Sequence, residues 1–305
     1  MPSKPKPRLL IIGGPTGAGK SAIAVEAARL LDGEIVSADS VQVYRHFDIG
    51  SAKPTAGERA RVPHHLIDVV EPGADFTAAD YAREAAKAAA DIAARGRRAL
   101  FVGGTGLYLR AAFEGLMPAP GKDTEARARL HAVPVAELRA RLERADPAWA
   151  ARILGDDRYR LVRALEIYDS TGVTPSEWAA RQRRESAFDV LWIGLAPERP
   201  VLYERIDRRV EGMWNAGLLD EVRDLTARGW GACRAMRSVG YLEAHTHVVG
   251  SLGRDEALAA AKQRTRRYAK RQLTWFRPNE RIHWLDPLQT GTVDRIKVLM
   301  HQWFT

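Results

Sequence analysis

Residues 14–21 read Gly14-Pro15-Thr16-Gly17-Ala18-Gly19-Lys20-Ser21 and fit G-x-x-x-x-G-K-[ST] at every fixed position. An apolar run, Leu9 to Ile12, precedes them, and Ala-rich text of helical spacing follows. Strand, glycine loop and helix in that order commit this part of the chain to an α/β fold. The glycines let successive backbone N–H groups turn inward, and the start of the next helix adds its dipole, so the loop favours an anion. Lys20 would reach terminal phosphate oxygens, and the Ser21 hydroxyl would ligate Mg²⁺. A nucleoside triphosphate is the usual occupant of such a loop, and another diphosphate or triphosphate fits the same cradle.

The apolar runs Leu9–Ile12, Glu34–Ser37, His65–Val70, Ala99–Val102 and Val190–Leu195 read as buried strands, with Ile282–Leu285 as a further candidate. Helical patterns follow the first, third and fourth. The alternation predicts a parallel sheet of the phosphate-loop NTPase type with helices on both faces. Ligands in such sheets sit beyond the carboxyl ends of the strands. Three of those ends carry polar text: GGPTGAGKS, SADSVQVYR and VGGTGLYLR. The alternation stops near Gly115. After the linker text MPAPGKD, residues from Asp123 to about Arg184 show helical spacing and no convincing strand. The predicted organisation is a core built from 1–118 and 188–305, with an all-helical insertion over 119–187.

Hydrophobic residues make up 46% of the chain and charged ones 28%, as in a soluble globular protein. No run approaches the ~20 apolar residues of a membrane helix, so no membrane association is expected. The start, MPSKPKPR, lacks the apolar core of a signal peptide. Cys233 is the only cysteine, which excludes disulfides within the chain and cysteine-based zinc sites. A cytoplasmic monomer is the expectation. The net charge is +9, and it is clustered. Lys262 to Arg277, KQRTRRYAKRQLTWFR, carries seven basic residues and no acid, with Tyr268, Trp275 and Phe276 interleaved. Such charges repel unless something negative lies opposite, and the phosphates of a nucleic acid or of a small pyrophosphate would both serve.

SADSVQVYR places Asp39, Ser40, Gln42 and Tyr44 just after the second strand. A carboxylate there would bind Mg²⁺, orient a base or act as a general base; alternatively Asp39 or Ser40 caps a helix. Gln42 suits bidentate recognition of an adenine edge. VGGTGLY ends the fourth strand with Gly103, Gly104, Thr105 and Gly106, and no Asp follows an apolar strand there as a Walker B site would require. The Gly-Thr-Gly text permits close approach of backbone and hydroxyl to a substrate.

Together with DIGSAKP (Asp48–Pro54), DRYRLVRALE (Asp157–Glu166), SVGYLE (Ser238–Glu243) and YAKRQLTWFR, these stretches resemble, in order, the tRNA dimethylallyltransferases. The likeness spans residues 8 to 286. It implies transfer of a dimethylallyl group from dimethylallyl diphosphate to N6 of adenosine 37 of tRNA, with release of pyrophosphate. It implies that the loop, Gly14, Pro15, Thr16, Gly17, Ala18, Gly19, Lys20 and Ser21, cradles the donor diphosphate with help from Arg237. Asp39 would take the N6 proton, Thr105 would position the reacting centre, and Mg²⁺ would be bound at Ser21. Asp39, Ser40, Val41, Gln42, Thr105, Arg127, Tyr159, Arg160, Leu161, Val162 and Arg163 would contact the tRNA. Gly17-Ala18 stand where the family usually has Ala-Ser, a change between small residues. The family's eukaryotic zinc-finger extension has no counterpart here, which points to a bacterial type. A kinase for a small molecule or nucleoside, or a nucleic-acid-binding ATPase, would carry the same loop.

Overall fold

The structure, a computed structural model, describes residues 6–182, 186 and 188–305. In chain order the first elements are β1 (Arg8–Gly13), α1 (Lys20–Leu30), β2 (Gly33–Ala38), α2 (Ala56–Arg61), β3 (His64–His65), α3 (Ala78–Ala94), β4 (Arg98–Gly103) and α4 (Gly106–Phe113). Five helices follow: α5 (Thr124–His131), α6 (Val135–Ala145), α7 (Pro147–Ala150), α8 (Arg158–Thr171) and α9 (Pro175–Ala180). The chain then runs through β5 (Asp189–Leu195), α10 (Arg199–Asn215), α11 (Leu218–Ala227), α12 (Tyr241–Val248), α13 (Arg254–Phe276), β6 (Ile282–Leu285) and α14 (Thr292–Phe304). It divides into two compact units: Met1–Phe113 with Ser186–Thr305, and Glu114–Glu185. The expected insertion end at Arg184 and the expected boundary at residue 187 lie outside the described residues.

In the first unit six strands form one sheet in the order β3-β2-β4-β1-β5-β6, every pairing parallel. The four central strands, β2, β4, β1 and β5, are buried on both faces beyond their first residues, so they read as continuous apolar runs. Their side chains alternate between two cores. Leu9 and Ile11 of β1 face one core with Val36 and Phe101, while Leu10 and Ile12 face the other with Ile35, Leu100 and Ile193. Helices α3, α4 and α10 to α13 cover the first face, and α1 and α14 cover the second.

The third predicted strand is the one that differs. Only His64 and His65 pair with β2. Leu66 and Asp68 then adopt φ of 60° and 59°, which breaks the ladder, and Val70 makes a single bridge to Tyr44. That turn serves an ion cluster. Asp68 meets Lys53 at 2.6 Å and Arg59 at 2.9 Å, and Lys53, whose side chain is 2% exposed, also meets Asp48 at 2.5 Å.

All the secondary-structure elements described in the second unit are helices. Leu130, Leu138, Leu142, Ile153, Leu161, Val162 and Leu165 form its core. Among the described residues of the chain, no helix is long and apolar enough to cross a membrane.

Candidate functional site

Three strand ends meet at one cavity of about 690 Å³ in the first unit. After β1 the chain takes positive φ at Gly14 (139°), Gly17 (81°) and Gly19 (86°), values that favour glycine and wrap the loop. A Cβ at Gly14 would overlap the carbonyl oxygen of Leu195. The loop's amides are not all open to a ligand. The Thr16 N–H donates to Gln272 Oε1 at 2.9 Å, and the Ala18 N–H to Pro15 O at 3.3 Å. Gly19 caps α1 without a side-chain acceptor, so the first N–H groups of that helix have no intrahelical partner and suit an anion. Ser21 is exposed and lines the cavity.

Lys20 Nζ donates to Pro15 O at 2.8 Å. Burial pushes its ammonium down to about 7, Arg209 adds repulsion, and the attraction of Asp39 does not offset the two. An anionic ligand would reverse that balance. Arg205 donates to Gly17 O at 2.9 Å, bracing the loop from α10. Arg209, Arg237 and Arg271 also line the cavity.

At the end of β2, Asp39 Oδ1 accepts from the N–H groups of Val41 (2.8 Å) and Gln42 (3.2 Å). The carboxylate is thus held by a local turn, as an Asx residue commonly is, and among the described residues no donor reaches its second oxygen. The Ser40 N–H donates to Thr105 Oγ1 at 3.1 Å, and the Thr105 N–H to Ala38 O at 3.1 Å. Thr105 is therefore tied to Ser40, the next residue along from Asp39, while Asp39 itself is held by Val41 and Gln42. Gln42 is placed differently from expectation. Its Oε1 accepts from Ser37, and its Nε2 donates to Ser51 O and Ala52 O, so its amide is spent on the protein and cannot also read an adenine edge in this conformation.

The glycines after β4 also answer to the protein. A Cβ at Gly104 would overlap Gln272 Nε2, and one at Gly106 would overlap the indole of Trp275. They admit α13, and Gly104 also lines the cavity. Gln272 was not singled out from sequence; its partners lie 168 and 256 residues away.

The basic run on α13 is partly neutralised. Lys262 meets Glu211, Arg264 meets Glu243 and Arg266 meets Asp207, at 2.5, 2.5 and 2.6 Å. The acids come from α10 and α12, so three of the seven charges are relieved by the fold itself. Arg267, Lys270, Arg271 and Arg277 remain exposed.

In the helical unit, Glu166 is fully buried and accepts from the Asp123 N–H (2.7 Å) and from Arg127 (2.7 Å), with Arg163 at 3.1 Å. Burial works against the Glu166 carboxylate, but the bonds from Arg127, the Asp123 N–H and Arg163 outweigh it and hold its pKa below the usual range. Arg127 and Arg163 are thus fixed by an internal acid. Leu161 and Val162 sit in the core, so their side chains are not available to an RNA. Tyr159, 65% exposed, and Arg160 are the members of that run at the surface.

Mg²⁺ takes one or two protein oxygens and completes its shell with phosphate oxygens and waters. The Ser21 hydroxyl and Asp39 carboxylate both line the cavity and fit that donor set. Among the described residues no three His, Cys, Asp or Glu side chains group as a metal site of their own.

The IPP transferase family model matches residues 42–279, and the isopentenyl transferase model matches residues 7–69. The tRNA dimethylallyltransferase 1 of Citrifermentans bemidjiense is 50% identical over 287 residues, 92% of each chain. The tRNA dimethylallyltransferase of Anaeromyxobacter dehalogenans is 49% identical over 285 residues, 92% of this chain and 95% of that one. Among solved structures, the tRNA isopentenylpyrophosphate transferase of Bacillus halodurans matches with a TM-score of 0.73 at 38% identity over 98% of each chain. A eukaryotic dimethylallyltransferase described as acting on tRNA matches with a TM-score of 0.83 at 27% identity, over 98% of this chain and 79% of that one.

Proposed function

This chain belongs to the tRNA dimethylallyltransferase family, and on that premise we propose that it moves a dimethylallyl group from dimethylallyl diphosphate to N6 of adenosine 37 in a tRNA anticodon loop. The enzyme is a prenyltransferase acting on tRNA. The observation that carries the finer reading is the cavity itself, where the phosphate loop, the Asp39 carboxylate and the Thr105 hydroxyl line or border one space.

The donor diphosphate rests on the open amides at the start of α1, with Lys20 and Arg237 as cations. Negative charge grows on the leaving oxygen as the allylic C1–O bond breaks, and each well-placed donor is worth ~2.7–4 kcal/mol there. Mg²⁺ bound at Ser21 would share that charge. The N6 lone pair forms the new bond to C1. Asp39 takes the proton that N6 sheds, and pyrophosphate leaves with the C1–O electron pair. Thr105, through the Ser40 N–H, keeps the Asp39 turn in place.

The acceptor base must leave its stack, which costs a few kcal/mol. Tyr159 offers an exposed ring for stacking and Arg160 an exposed charge for phosphate, while Arg267, Lys270 and Arg277 extend a basic surface on α13 and just beyond it. Within the helical unit, Arg127 and Arg163 support Tyr159 and Arg160 by fixing the start of α8 against α5 through Glu166.

The test is transfer of label from dimethylallyl diphosphate to an anticodon stem-loop carrying adenosine at position 37, with nucleoside analysis of the product. Label on N6 is expected. A folded enzyme that leaves both substrates unchanged would overturn the proposal.

A further inference from the structure

Gln272 lies on α13 with 6% of its surface exposed, and both ends of its amide reach loops from distant parts of the chain. Its Oε1 accepts from the Thr16 N–H at 2.9 Å, and its Nε2 donates to Gly104 O at 2.9 Å. One side chain therefore spans the phosphate loop after β1 and the turn after β4. Backbone pairing of these two strands ends at Gly13 and Gly103, so the ladder does not hold the loops beyond them. Gly104 is shaped for this contact, since a Cβ there would overlap the Gln272 amide and lie 3.1 Å from Gly14 O. One helical turn earlier, Tyr268 lies beside Thr105 and Gln272, close enough to Asp39 to feel its charge.

We infer that Gln272 is a positioning residue, which sets the donor's phosphate loop at a fixed separation from the Gly104–Thr105 turn and so from the Asp39 base. The inference rests on the transferase reading above. A displacement needs leaving group, carbon and nucleophile in line, and a misplacement of about 1 Å costs on the order of 10²-fold in rate. Neither loop alone fixes that distance; the Gln272 amide joins them. A side chain that merely filled the core would tolerate any partner of equal volume. A spacer needs one acceptor and one donor, each on its own side.

Gln272→Glu tests this. The introduced carboxylate keeps the acceptor for Thr16 but loses the donor to Gly104 O. Burial beside a carbonyl raises its pKa, and protonation restores the donor. Single-turnover transfer by the variant at pH 8 is expected to fall about 10²-fold, with a much smaller change in the Kd for dimethylallyl diphosphate. The ratio of variant to wild-type rate is expected to recover as pH falls. Titrations of groups remote from position 272 cancel in that ratio. Gln272→Met keeps the volume without either bond, and the same loss is expected with no recovery at low pH. A pH-independent ratio for the Glu variant, or a full rate in the Met variant, would overturn the role of Gln272 while wild-type transfer still stood. No transfer by the wild type would overturn the functional reading itself and the inference with it.

Discussion

In the proposed mechanism Asp39 takes the proton through one oxygen, while its own backbone turn holds the other. Asp39→Asn keeps that turn and removes the base. Turnover should fall about 10²–10⁴-fold, the usual share of a general base, with donor affinity little changed in calorimetry. A near-normal single-turnover rate would remove Asp39 from the proton transfer. Lys20 makes a pH prediction. Burial holds its pKa at about 7 in the free protein, against an ordinary 10.5. Between those values the unfolded chain binds a proton that the folded one has released, so this group makes folding more favourable as pH rises from about 7 towards 10.5. Donor binding at pH 8 should return the proton. Calorimetry in two buffers of different ionisation enthalpy should show uptake approaching one proton, and Lys20→Met should abolish it. Lys53 makes a stability prediction. Removing its buried ammonium in Lys53→Met leaves Asp48 and Asp68 without it, at a cost of about 3 kcal/mol, the low end for a broken buried pair because both acids are partly exposed. Urea denaturation reads this directly.

The long helix α13 does two jobs with two faces. Ala257, Ala261, Ala269, Gln272 and Phe276 face inward, and Arg267, Lys270, Arg271 and Arg277 face out. Lys262, Arg264 and Arg266 are already paired with acids of α10 and α12. Neutralising Arg267 and Lys270 together should flatten the dependence of log tRNA affinity on log salt by about two contacts' worth. Neutralising Lys262 and Arg266 should leave the slope alone. Equal effects from both pairs would mean that the paired charges also face the RNA. This division was illegible in sequence, because the acids that relieve the basic run lie on other helices, two of them more than fifty residues upstream on α10 and Glu243 on α12. The strands were legible because burial on both faces writes them as short apolar runs. His65–Val70 misled for a stated reason: its apolar residues are genuine core, but Asp68 turns the backbone to reach Lys53 and Arg59. The phosphate loop was legible as a contiguous motif. The glycines of 103–106 were legible as a close approach, but what approaches them, Gln272 and Trp275, is visible only in three dimensions.

At the scale of the whole molecule, the proposed function gives the donor site to the first unit and adds acceptor contacts from the second. The first holds the entire cavity lining, and the second holds Tyr159, Arg160 and the Glu166 cluster. Replacing the helical unit with a short Gly/Ser linker should spare donor affinity to within about tenfold and lower tRNA affinity by at least ~100-fold, the ~2.7 kcal/mol of a few lost stacking and charged contacts. Full tRNA affinity in the folded deletion would assign RNA binding to the core alone. The central claim is that a nucleotide-type loop here serves a prenyl donor. Titration calorimetry of the intact protein with dimethylallyl diphosphate, and separately with ATP, in the presence of Mg²⁺ tests it most directly. Saturable binding of the prenyl diphosphate, lost in Lys20→Ala, with no ATP turnover, is the predicted result. Tight ATP binding with hydrolysis, and no heat from the prenyl diphosphate, would contradict it.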